Sequence, residues 1–81
     1  MVRGQGGKAE ARRAWELYQK GIFREIFFEK KNRNAVIVME CRDAEEARDI
    51  LETLPLVQNG LIQFDLLELE PYPGFARLFE R

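Results

Sequence analysis

The chain contains no histidine. Its absence removes the Ser-His and Cys-His nucleophile pairs and the commonest zinc and iron ligand sets together. A lone cysteine, Cys41, excludes an internal disulfide and a Cys-rich zinc site, as expected of a protein from a reducing cytosol. Charge of one sign is also missing: 13 basic side chains face 14 acidic ones, for a net charge of -1. A surface that tracks phosphates shows as a basic excess, so a nucleic-acid partner is disfavoured. No apolar run approaches the roughly 20 residues that span a bilayer, and the opening MVRGQGGKAE lacks the apolar middle of a signal peptide. These features predict a cytoplasmic protein without a membrane partner. Gly4, Gly6 and Gly7 have no strand before them and no Lys-Ser/Thr pair after them, so they do not make a phosphate loop. No cofactor is implied.

What remains is a chain of 81 residues, 46% of them hydrophobic, enough for one folded domain. A chain this short buries only about 60% of the surface its unfolded form exposes, so further burial by self-association is expected. Residues 1–7, rich in glycine, read as a flexible lead-in to a single domain over 8–81, with a docking tail at 71–81. Ala11, Ala14, Trp15 and Tyr18, widened by Leu17, predict an amphipathic helix over 8–20, with Gly21 at its left-handed cap. The Ile- and Phe-rich run 22–29 predicts a strand, KKNRN a turn, and AVIVMEC at 35–41 the returning strand of a hairpin. Asp43 and Glu46 form a capping box for a second helix, stopped by Pro55, and Asn59-Gly60 turns the chain into a last strand over 61–70. There Ile62, Phe64 and Leu66 alternate, while Leu67 and Leu69 continue on the other parity, which implies a bulge or a change of covered face near Leu66.

The predicted class is α+β, in the order α-β-β-α-β, with two helices on one face of an antiparallel sheet. The other sheet face would then carry Phe23, Phe27, Ile37 and Met39, an apolar extent that marks an interface. Two such sheets packed face to face as a homodimer is the simplest closure.

The stretches WELYQKGIFREIFF, DAEEARDILETLPL and PYPGF, with Leu54-Pro55-Leu56 as the most specific part, resemble the muconolactone isomerase-like family of the dimeric α+β barrel superfamily. The likeness spans roughly residues 14–75. It implies a ferredoxin-like subunit whose sheet pairs with that of a second copy around a central cavity. It also implies a first strand ahead of the first helix, lying centrally beside the last one, yet only MVRGQGG precedes Lys8. We expect the reading frame to begin upstream; the last strand pairing in a new way, or another chain supplying the partner, are the alternatives.

The isomerases of that family carry a His after a Trp-Arg pair and a Tyr in the hairpin turn. Here Glu25 follows Phe23-Arg24, and Asn32-Arg33-Asn34 occupies the turn, so the specific isomerase activity does not carry over. Whether the chain is an enzyme stays open. If Glu29 opposes Ala35, then Glu25 opposes Met39 and shares a face with Phe23, Phe27 and Ile37. Apolar surroundings would raise its pKa toward that of a general base; alternatively it sits at the cavity rim or pairs with an arginine across the dimer. Gln63 and Asp65 face either the cavity or water. The ligand set is thus Phe23, Phe27, Ile37, Met39, Gln63 and Asp65, suited to a small, largely apolar, oxygenated compound. The alternative is an isomerase or lyase with Glu25 as base on a lactone-like or aromatic-derived substrate. Cys41, beside Arg42, reads as a packed thiol rather than a nucleophile, and Trp15 and Tyr18 as core.

Overall fold

The computed structural model describes residues 7–80, so the lead-in expected over 1–7 lies, Gly7 apart, outside the described residues. The chain is α+β: α1 (Lys8–Gln19), β1 (Phe23–Phe28), β2 (Ala35–Met39), α2 (Ala44–Leu51), α3 (Pro55–Gln58) and a terminal 3-10 helix (Pro73–Phe79). No helix among the described residues is long and apolar enough to cross a membrane.

Glycine ends two of these helices in the same way. Gly21, at φ 79°, donates to the Tyr18 carbonyl, and Ile22 donates to Leu17, the paired bonds of a Schellman cap. Gly60, at φ 70°, repeats the device after α3, with Gly60 bonded to Val57 and Leu61 to Leu56. Only glycine enters that left-handed region without steric cost. The cap on α2 is reciprocal: Asp43 Oδ1 accepts from the Glu46 N–H at 2.8 Å, and Glu46 Oε1 accepts from the Arg42 N–H at 2.7 Å.

The second helix does not run to Pro55. It closes at Leu51, and Leu54 takes an extended backbone (φ -76°, ψ 131°) because the proline ring crowds helical geometry at the residue before it. Pro55 then opens α3 at a position where a missing N–H costs nothing. Leu54 has no side chain able to cap α3, and α1 supplies the cap instead: the Glu10 carboxylate accepts from the Leu56 N–H at 2.9 Å. Beside it Arg13 Nε donates to Thr53 Oγ1 at 2.9 Å, while that hydroxyl donates to the Ile50 carbonyl at 2.6 Å.

These tethers explain why the buried stripe of α1 is not the apolar one. Glu10, Arg13, Ala14 and Leu17 face inward at i, i+3, i+4 and i+7, and Leu17 is 1% exposed. Trp15 (56% exposed), Tyr18 and Ala11 face out, contrary to the expected core positions. The core is Leu17, Phe23, Leu51 and Leu54, flanked by Ala14, Ile22, Ile37, Met39, Ile50, Val57, Phe64 and Leu66.

Among the described residues the sheet has two antiparallel strands. The expected pairing is displaced: Phe28 opposes Ala35, Phe27 opposes Val36, Ile26 opposes Ile37, Glu25 opposes Val38 and Phe23 opposes Met39. The turn sets this register, because the Glu29 N–H bonds the Asn34 carbonyl at 2.7 Å, with Arg33 at φ 61° and the Glu29 carboxylate accepting from the Asn34 side chain. A bulge between Phe23 and Glu25 leaves Arg24 without an opposite residue. It also switches parity, so Phe23 falls on the helix-covered face with Ile37 and Met39 while Glu25 and Phe27 fall on the other.

The last strand does not form. Residues 61–70 take no regular secondary structure and belong to no sheet. In the arrangement the resemblance implies, this strand pairs with a first strand, and none lies among the described residues. Ile62, Phe64 and Leu66 are partly buried, the latter two against the core, whereas Leu67 and Leu69 are exposed. The change of covered face at Leu66 is therefore present without the strand.

Candidate functional site

A concavity of about 550 Å³ opens between α1 and β1. Helical spacing aligns Ala11, Ala14, Trp15 and Tyr18 along one wall, and consecutive residues Arg24, Glu25, Ile26 and Phe27 make the other. The small alanines leave the room that the aromatic rings bound. Trp15 and Tyr18 stack with centroids 5.8 Å apart and planes 28° from parallel, forming a flat apolar platform. Opposite the platform stand one cation, Arg24, and one carboxylate, Glu25, both exposed. The bulge that frees Arg24 from the ladder lies at this wall. A planar, mostly apolar molecule with an oxygenated edge fits the combination, because the platform gives area and Arg24 gives hydrogen-bond donors.

Of the residues expected to form a site, the structure brings Glu25 and Phe27 together here. Phe23 is 1% exposed and fills the core, so it offers a ligand no surface. Ile37 and Met39 pack against that same core, on the face opposite Glu25. Gln63 borders a separate hollow of about 180 Å³ with Arg48, Leu51, Glu52, Val57, Phe64 and Leu66, and Asp65 is exposed and lines neither. The single face expected for Glu25, Phe23, Phe27, Ile37 and Met39 is thus split in two by the bulge. Apolar surroundings for Glu25 are not supplied within one chain.

The sequence pattern does not mark Trp15, Tyr18 and Arg24 as site residues. The aromatic pair stands at core spacing, and only Glu10 and Arg13 hint otherwise: two long polar residues three apart, aligned with Leu17, with buried groups to satisfy. Arg24 escapes a strand reading because an alternating pattern has no symbol for a bulge. Cys41 is half-buried, its Sγ 3.7 Å from the Asp43 carbonyl. Burial pushes its thiol pKa up, and the carboxylates of Glu46, Asp43 and Glu40 add to the rise, so the influence of Arg42 does not prevail. That environment makes a poor nucleophile.

Compared with family models, curated proteins and solved structures, the chain finds no match in any of the three.

Proposed function

We propose that this chain is a homodimeric small-ligand-binding protein of the muconolactone isomerase-like kind, a ferredoxin-like subunit whose uncovered sheet face closes on a second copy. One observation carries the reading. With α1 and α2 on the core side of the hairpin, the opposite face presents Phe27 across from Val36 and Glu25 across from Val38, and Phe27 and Val36 are each more than half exposed. Exposed apolar side chains beside a carboxylate, on a domain too small to bury much alone, favour a partner of the same shape. Two such faces in a dimeric α+β barrel would enclose Glu25 and Phe27, with the Trp15–Tyr18 platform at the mouth, around a small, apolar, oxygenated ligand.

The second reading, an isomerase or lyase with Glu25 as general base, depends on the same closure. Glu25 is exposed in one subunit, and only a covering copy would desolvate it. Native mass spectrometry of the purified chain tests the binding reading: a dimer retaining a small molecule is expected, and Val36→Asp should release both. A dimer whose mass is that of two bare chains, under every source of expression tried, would argue against a ligand cavity. If Glu25→Gln leaves binding intact but abolishes a turnover found by substrate screening, the catalytic reading replaces the first.

A further inference from the structure

Residues 67–79 carry large apolar side chains that the other described residues leave exposed. No backbone hydrogen bond ties residues 63–72 to any described residue, although nine of the ten carry an N–H. From Leu67 to Glu70 the sequence alternates Leu-Glu-Leu-Glu, the pattern of a strand with one apolar side. Leu67 is 83% and Leu69 74% exposed, and Tyr72, Phe75, Leu78 and Phe79 are likewise exposed. Meanwhile β1 pairs with β2 along one edge, and its other edge has no strand beside it among the described residues. That free edge is the wall of the groove under Trp15 and Tyr18.

We infer that the arm formed by residues 63–72 of one copy adds as a strand to the β1 edge of a second copy, seating Leu67 and Leu69 against Trp15, Tyr18 and Ile26, and that the exchange is reciprocal. Strand addition satisfies the unpaired arm and the unpaired edge with one set of hydrogen bonds. The lengths agree, since six extended residues reach about 20 Å, enough to run past residues 24–27. Asp65, Glu68 and Glu70 make the arm acidic, and Arg24, at the bulge on that edge, has no ion-pair partner among the described residues. The exchange uses the β1 edge rather than the outward sheet face, so it stands without the closure proposed above.

Two chains in a Cys41→Ser background, one carrying Trp15→Cys and a differently tagged one carrying Leu67→Cys, test the arrangement when mixed and oxidised. A disulfide joining the two tags is expected, because both positions are exposed and either substitution leaves the core intact. A disulfide that forms only inside a chain carrying both cysteines, or none at all, would overturn the inference. Sedimentation gives the second arm of the test. Leu67→Glu with Leu69→Glu should raise the dimer dissociation constant at least about 100-fold while circular dichroism stays unchanged. An unchanged constant in that variant, with Val36→Asp dissociating the dimer, would assign association to the sheet face and refute the arm.

Discussion

Glu10 is a charged residue on the inward side of α1, and its replacement by alanine is the sharpest test of how the domain is held together. Its carboxylate caps α3 across 46 residues of sequence, accepting from the part-buried Leu56 N–H at 2.9 Å. Losing a hydrogen bond to a charged group costs about 1.5–3 kcal/mol, and losing a helix cap typically about 1 kcal/mol. Water reaches the site partly, so the lower end applies, and Glu10→Ala should destabilise the fold by about 1–2 kcal/mol. For a domain of this size each 1 kcal/mol moves Tm by about 4–8 °C, so a fall on the order of 10 °C is expected. Glu10→Gln keeps an acceptor oxygen and should recover about half of the loss. Urea unfolding followed by circular dichroism measures both, with exposed Arg12→Ala as the control on helix propensity. If Glu10→Ala costs no more than Arg12→Ala, the tether between α1 and α3 does not hold the fold, and the rotated stripe of α1 loses its explanation.

Leu17→Ala should cost about 2–5 kcal/mol and Trp15→Ala about 1 kcal/mol or less, because the first empties a core position and the second trims an exposed ring; chemical denaturation of the two variants in monomeric conditions would reverse that order if Trp15 were core. Cys41 should react with a disulfide reagent at pH 8 more slowly than a free thiol, and Glu46→Gln should speed it, since a raised pKa leaves less thiolate. The same shift gives a stability term that is full below the ordinary thiol pKa and lost as pH rises through the raised value. Unfolding free energies of the wild type and Cys41→Ser between pH 7 and 10 would show it, and parallel curves would refute it. Gly60→Ala should cost about 1–2 kcal/mol in the same denaturation assay through its left-handed backbone, and an unchanged midpoint would mean the cap is not required.

Local rules carried far in this chain, and their limits are physical. Gly21 and the Asp43–Glu46 box are readable because capping depends on neighbours within a few residues. The buried stripe of α1 is not legible from apolar spacing, because apolarity stands in for burial only where no long polar side chain has a distant group to satisfy. Glu10 and Arg13 each have such a group, at Leu56 and Thr53. The hairpin was legible as a hairpin, but its register rests on the turn at Arg33 and its faces on the bulge at Arg24, each a one-residue event with a two-sided consequence. That single bulge moved Phe23 from the expected ligand wall into the core. The run TLPLVQNGL, which reads as a helix stop and a turn, is a short capped helix of its own, because pre-proline geometry at Leu54 and a glycine cap at Gly60 bracket it.

Sedimentation equilibrium on the full chain at micromolar concentration reads its self-association. A mass of two chains is expected, falling toward one on dilution, and faster in Leu67→Glu with Leu69→Glu or in Val36→Asp. A single-chain mass at concentrations up to about 1 mM, with the fold intact by circular dichroism, would contradict both the closed cavity and the exchanged arm.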